Sequence, residues 1–150
     1  MNRGDEEEEN VSIVPIVGMG GLGKTTLAKL VYNDERVSSY FDKLIWVFVS
    51  EKFDSAEIMR AIIESDQGRC DVERMESQQS RLRKTVSGKR YLLVLDDVWN
   101  ENQEAWLQLK SLLNVGEKGS KIIATDNIQA QSYTRPHLHL PILLFCCNLF

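Results

Sequence analysis

The segment Gly18-Met-Gly-Gly-Leu-Gly-Lys24-Thr25 constrains the fold of this chain more than any other part of the sequence. It matches G-x-x-x-x-G-K-[S/T], a pattern that has a physical function only between a buried strand and a helix. Residues 11–17 before it are mostly apolar and β-branched, with Ser12 and Pro15 as the exceptions, and apolar residues at helical spacing follow it. The sequence therefore predicts a strand, a glycine-rich turn and a helix in that order.

Such a turn wraps a polyphosphate with backbone N–H groups, because glycine lets the chain curve closely around an anion. The N-terminus of the following helix adds N–H groups and a positive dipole. We expect Lys24 to reach the β- and γ-phosphates, Thr25 to offer its hydroxyl to Mg²⁺, and Thr26 to lie nearer the α-phosphate. The predicted phosphate-binding residues are Gly18, Gly20, Gly21, Gly23, Lys24, Thr25 and Thr26. The alternative is a glycine-rich turn that holds no ligand.

Two carboxylates follow a second apolar segment, Tyr91 to Leu95. In a parallel sheet, a strand that ends in acids can present them to a metal beside the phosphates, as in a Walker B motif. We predict that Asp96 holds Mg²⁺, usually through water because this ion loses its hydration shell reluctantly, and that Asp97 polarises an attacking water. Without the upstream loop, the same pair would be interpreted as a solvated strand-to-loop turn.

Strand-like and helix-like segments alternate along the rest of the chain. A further strand is predicted at Leu44–Val49, and Lys121 to Ala124 begins another. A capping box at Asp54 and Glu57 is predicted before a helix. Two more helices are predicted at Val72–Val86 and Trp106–Leu113. This alternation predicts an α/β fold of the P-loop NTPase type, a parallel sheet with helices on both faces, incomplete at its C-terminal side.

Charge and hydropathy divide the chain into three parts. The chain carries 18 Lys and Arg against 22 Asp and Glu, and five of these acids stand together from Asp5 to Glu9. We therefore interpret residues 1–10 as an acidic linker or tail. Residues 11–125 hold the predicted fold, and residues 126–150 break the alternation and end in an apolar run from Leu140 to Phe150. The third part is predicted to be a divergent tail outside the fold.

Several classes of protein are disfavoured by composition. Outside the acidic run the charge is close to neutral, which gives no basic field for nucleic acid, and no apolar stretch approaches the roughly 20 residues of a membrane span. The N-terminus has no apolar signal core. Three cysteines without paired spacing are expected to be free thiols, and His137 and His139 are expected to be surface residues. A cytoplasmic protein fits these features best.

Four ordered blocks resemble the NB-ARC nucleotide-binding domain of plant intracellular disease-resistance receptors, of the class with an N-terminal coiled coil. The blocks are Gly18–Ala28, Phe41–Ser50 with Phe53 and Asp54, Lys89–Trp99, and Gly119–Thr125. The resemblance implies an ADP/ATP switch with Mg²⁺, in which ADP holds the receptor off and exchange for ATP permits assembly and defence signalling. It implies adenine nucleotide as ligand, other receptor domains or signalling proteins as partners, and at most a weak Mg²⁺-dependent ATPase activity.

The chain departs from the family pattern after Thr125. The pattern continues with a second Thr and an Arg that senses the γ-phosphate, whereas this chain has Asp126 and Asn127. Together with the apolar C-terminal run, this departure suggests a truncated or misread gene product, with a short regulatory isoform as the alternative. Two other functions stay open at this point: an inert fragment without stable nucleotide binding, and a P-loop ATPase or metabolite kinase.

Overall fold

Strands and helices alternate through the folded part of the chain. The computed structural model describes residues 9–69, 74–99 and 103–127. The elements in chain order are β1 (Val11–Gly18), α1 (Lys24–Tyr32), α2 (Glu35–Tyr40), β2 (Lys43–Phe48), α3 (Ser55–Gln67), α4 (Met75–Val86), β3 (Tyr91–Val98), α5 (Gln103–Leu113) and β4 (Ser120–Asn127).

The four strands form one parallel sheet in the order β1-β4-β3-β2. Because all strands run the same way, their carboxyl ends meet at one edge, and β4 lies between β1 and β3. Pro15, which has no N–H to donate, lies in β1, a strand that pairs only with β4 among the described residues. Proline is tolerated at such a position because an edge strand needs fewer ladder bonds.

Apolar side chains project from both faces of the sheet, and helices pack against each face. One core packs α3, α4 and α5 against side chains such as Leu93, Leu95 and Ile122. The other packs α1 and α2 against Leu92, Val94 and Ile123. Alternate residues of β3 and β4 thus enter opposite cores, as the period of two in a strand requires. The predicted α/β class with helices on both faces of a parallel sheet is confirmed.

Aspartate side chains cap the starts of two helices, α2 and α3. Asp54 accepts a hydrogen bond from the backbone N–H of Ala56 at 2.8 Å and so caps α3, as predicted. Asp34 accepts a hydrogen bond from the backbone N–H of Arg36 and so caps α2, a short helix that the sequence pattern did not indicate. The Asp34 carboxylate is bonded by the Arg36 side chain as well, which lowers the pKa of Asp34 to about 2.

Strands β3 and β4 both extend past boundaries expected from the sequence. Strand β3 continues to Val98, so Asp96 and Asp97 lie within it rather than after it. Strand β4 reaches Asn127, two residues past the domain boundary expected at residue 125. Glu9 of the acidic run contacts Lys110, with its oxygen 2.9 Å from the ammonium.

Several predicted features lie outside the described residues. They are the acidic residues 5–8, the beginning of the fourth helix at Val72, all three cysteines, His137, His139 and the tail from residue 128 onward. Within the described ranges, the helices are all too short or too polar to cross a lipid bilayer.

Candidate nucleotide site at the carboxyl edge of the sheet

The glycine-rich turn joins β1 to α1 at the carboxyl edge of the sheet. Gly21 has φ +82° and Gly23 has φ +85°, values that residues with a Cβ rarely adopt. A Cβ built at either position meets nothing within 4 Å, so glycine is required here by backbone conformation and not by lack of space. Gly23 is also the N-cap of α1, a helix that has no acidic residue in its first turn. The turn thus presents the positive end of a helix dipole to solvent.

Lys24 lies at the first position of α1 and folds back over the turn. Its ammonium donates hydrogen bonds to the carbonyl oxygens of Gly18 at 2.7 Å and Met19 at 2.8 Å. A cation is thereby held at the entrance of the turn, where the sequence predicted a phosphate contact. A Cβ on Gly18 would approach Leu22 at 3.2 Å, so the start of the turn is closely packed as well.

Thr25 and Asp96 are brought together from distant parts of the sequence. The Thr25 hydroxyl donates to the Asp96 Oδ1 atom at 2.8 Å across a separation of 71 residues. Asp96 is only 4% exposed, although it is a carboxylate. The two residues predicted to serve Mg²⁺ are therefore adjacent, at the meeting point of the first turn of α1 and the end of β3.

Thr25 and Asp96 could hold a small divalent cation together, because both offer oxygen atoms and a carboxylate can hold Mg²⁺ through one of the water molecules that this ion retains. Within residues 9–69, 74–99 and 103–127, no cluster of three or more His, Cys, Asp or Glu side chains could hold a metal. That is compatible with Mg²⁺ sites that combine one carboxylate and a hydroxyl with phosphate oxygens and water.

Asp97 occupies a bulge in β3. The pairing of β3 with β4 shifts between Leu95 and Val98, so Asp96 and Asp97 together face the single residue Thr125. Asp97 has φ +62°, the only positive value for a residue other than glycine in the described part of the chain. Its side chain is half-buried beside Asp96. Because of the bulge, Asp96 and Asp97 do not follow the regular alternation of consecutive strand residues between the two faces of the sheet.

Thr125 is a member of this cluster that the sequence analysis did not assign to the site. Its hydroxyl donates to Asp96 Oδ1 at 2.8 Å and accepts from the backbone N–H of Asp97 at 2.8 Å. Its position at the end of a strand neighbouring the acidic one was the available signal. The other predicted ligands, Gly20 and Thr26, lie on the turn and on α1 and are exposed.

The two residues that depart from the resembled pattern lie beside the turn. In the register of β1 with β4, Asp126 pairs with Val17 and Asn127 pairs with Gly18. The backbone of Asn127 therefore adjoins the first glycine of the predicted phosphate loop. Asn127 stands at the position where the resemblance leads one to expect the arginine that senses the γ-phosphate.

Comparison with known proteins finds plant disease-resistance proteins. The chain is 46% identical over 125 residues to disease resistance protein RGA2 of Solanum bulbocastanum, an alignment that covers 82% of this chain and 13% of that protein. It is 38% identical over 134 residues to disease resistance protein RPP13 of Arabidopsis thaliana, covering 84% of this chain and 16% of the relative. The chain thus spans less than a fifth of the length of these two relatives.

The family comparison covers nearly the whole chain. The model of the NB-ARC domain matches residues 2–132, a range that includes the turn, Asp96, Asp97 and all of β4. The similarity to the two resistance proteins and the parallel sheet agree with this match. This chain belongs to the NB-ARC domain family of plant disease-resistance proteins.

Proposed function

We propose that this chain is the ADP/ATP-binding portion of a plant intracellular immune receptor and acts in the cytoplasm as a nucleotide-dependent switch of the defence response. The observation that carries the proposal is the hydrogen bond between Thr25 and Asp96. It joins the predicted phosphate loop to the predicted magnesium acid within one edge of the sheet. Ligands of open α/β sheets bind at this edge, outside the carboxyl ends of the strands.

The phosphates are bound by the turn and by Lys24. The glycines of the turn let its backbone curve around an anion, and the N-terminus of α1 adds its dipole. The Lys24 ammonium, held on two carbonyl oxygens, exchanges these neutral acceptors for phosphate oxygens. A phosphate oxygen carries negative charge, so it attracts the ammonium more strongly than a neutral carbonyl oxygen does, which favours the exchange. Thr26 contributes near the α-phosphate.

Mg²⁺ neutralises phosphate charge when it is bound, and Thr25 and Asp96 are the residues of this chain that hold it. Both are oxygen donors, and both are positioned by elements of the sheet and its first helix. Asp97 is the residue assigned to polarise a water molecule. With these groups the chain is at most a weak Mg²⁺-dependent ATPase.

The switch acts through the difference between the bound nucleotides. ADP holds the receptor off, and ATP permits assembly with other receptor domains or signalling proteins. The similarity to proteins named for disease resistance supports the defence context. Asn127 in place of the sensing arginine removes one contact to the γ-phosphate, so we expect this chain to discriminate ATP from ADP less than a chain with arginine there.

Calorimetric titration of the purified chain with ADP, ATP and GTP, each with Mg²⁺ and with EDTA, tests the proposal. We expect ADP and ATP to bind more tightly than GTP, and Mg²⁺ to strengthen the binding of ATP. The absence of binding for all three nucleotides at millimolar concentration would support the inert fragment instead. Rapid multiple turnover of ATP would support an ordinary P-loop enzyme.

A further inference from the structure

The hydroxyl of Thr125 forms hydrogen bonds with two consecutive acidic residues, Asp96 and Asp97. Thr125 lies in β4, which is paired on both sides, with β1 and with β3. The bulge in β3 sets Asp96 and Asp97 opposite this single residue. Thr125 is 1% exposed, so its hydroxyl must find its partners inside the protein.

The Thr125 hydroxyl acts both as a hydrogen-bond donor and as an acceptor. It donates its proton to Asp96 Oδ1 and accepts the backbone N–H of Asp97, each at 2.8 Å. The first bond fixes the direction of the Asp96 carboxylate. The second satisfies an N–H group that the bulge withdraws from the regular ladder. The hydroxyl therefore ties the side chain of one acid to the backbone of the next.

The Asp97 backbone needs such support. At φ +62° it lies in the left-handed region, which is unfavourable for a residue with a Cβ and persists when its surroundings hold it in place. Asp96 Oδ1 also accepts from Thr25, but Thr25 is itself a predicted magnesium ligand. Thr125 can keep its hydrogen bond to Asp96 when the ion binds, because Thr125 is not assigned as a ligand of the ion.

We propose that Thr125 is a positioning residue of the magnesium site: its hydroxyl orients the Asp96 carboxylate toward Thr25 and fixes the bulge that presents Asp97. This inference rests on the proposed nucleotide-binding function. It assigns Thr125 no contact with the ion or the nucleotide. Its effect is to hold the carboxylate in the binding geometry before Mg²⁺ arrives, from a strand that is bonded on both edges.

Two substitutions separate the hydroxyl from the shape of the side chain. Thr125→Val keeps the branched shape that suits a strand and removes the hydroxyl, whereas Thr125→Ser keeps the hydroxyl. In Thr125→Val we expect the Mg²⁺ concentration for half-maximal strengthening of ATP binding to rise about 10–100-fold, the usual effect of removing a group that orients a metal ligand. Affinity for ATP in EDTA should stay within about twofold of wild type, because the turn and Lys24 are unchanged. Thr125→Ser should restore the wild-type Mg²⁺ requirement.

A second measurement does not need nucleotide. In the nucleotide-free chain, the Asp97 amide donates to the Thr125 hydroxyl, so amide hydrogen exchange followed by NMR reports this bond directly. We expect faster exchange at Asp97 in Thr125→Val and wild-type exchange in Thr125→Ser. The exchange of the Leu93 amide, within β3 but before the bulge, is the control for general loosening of the strand.

The outcomes distinguish the two proposals. If wild type binds ATP and Thr125→Val keeps the wild-type Mg²⁺ requirement, the positioning role is wrong and the proposed function stands. If Thr125→Val weakens binding in EDTA as much as with Mg²⁺, Thr125 has only a structural role, which also overturns the inference. If wild type binds no nucleotide, the proposed function fails and the magnesium role with it, whatever the exchange at Asp97.

Discussion

The ammonium of Lys24, the first residue of α1, donates a hydrogen bond to the carbonyl oxygen of Gly18, the last residue of β1, at 2.7 Å. A second bond goes to Met19 at 2.8 Å. The lysine is thus part of the packing of the turn before any phosphate binds. Removing its side chain is expected to affect both the shape of the turn and its affinity for anions.

Lys24→Ala should weaken the binding of ADP by tens to thousands of fold. The loss of one partner from a desolvated charge pair typically costs about 2–5 kcal/mol, which corresponds to this range. Lys29→Ala, at an exposed position of the same helix, is the matched control and should bind ADP as wild type does. Fluorescence titration with a labelled ADP measures both. An unchanged dissociation constant in Lys24→Ala would contradict the assignment of the turn as a phosphate loop.

Gly23→Ala and Gly88→Ala should separate backbone strain from ligand binding. Both glycines have positive φ, +85° and +66°, and neither has an atom within 4 Å of a built Cβ. Each substitution is therefore expected to cost about 1–2 kcal/mol of unfolding free energy from the left-handed conformation alone. Urea unfolding measures this loss of unfolding free energy in each variant. Only Gly23→Ala should also weaken ADP binding, and a similar loss in Gly88→Ala would indicate that global stability, not the turn, controls affinity.

Asp96→Asn and Asp97→Asn should differ in how ATP binding depends on Mg²⁺. The amide at position 96 keeps an oxygen for the two hydroxyls that Asp96 accepts, but it loses the charge that attracts the ion. We expect Asp96→Asn to abolish most of the strengthening by Mg²⁺ and Asp97→Asn to retain it. Titrations in Mg²⁺ and in EDTA make the comparison. Equal behaviour of the two variants would mean that the roles assigned to these neighbours are wrong.

Tyr91→Phe should destabilise the protein at neutral pH and destabilise it less at alkaline pH. The Tyr91 hydroxyl donates to the buried carbonyl of Leu113 at 2.8 Å, a bond worth about 0.5–1.5 kcal/mol, so the variant should be less stable by that amount at pH 7. Gly116 still donates to that carbonyl, which keeps the loss moderate.

Burial raises the pKa of Tyr91 above its ordinary value of 10.0, so the unfolded chain releases this proton first. The stability contributed by the protonated phenol is complete below pH 10 and falls above it, by up to about 1.4 kcal/mol per pH unit. The variant lacks this phenol, and its deficit should shrink as the pH rises above 10. Urea unfolding between pH 7 and pH 11 follows both proteins, and a constant difference would show that Tyr91 does not titrate with unfolding.

The sequence by itself determined the elements whose signals are local. The spacing of Gly18, Gly23 and Lys24 specifies a turn between a strand and a helix, and apolar periodicity separates strands from helices. Asp54 carries its own signal as an N-cap. The α/β class follows from the alternation of these elements, and the resemblance of four blocks to NB-ARC domains agrees with the family match over residues 2–132.

The tertiary structure alone decided which side chains meet. Thr25, Asp96 and Thr125 are remote in sequence, and only the order β1-β4-β3 brings the end of β4 beside the end of β3. The bulge at Asp97 depends on the register in which β3 pairs with β4, and no local sequence pattern encodes that register. Helix α2 was missed for a related reason: six residues give too little periodicity, and burial of Val37 and Phe41 against the sheet stabilises them.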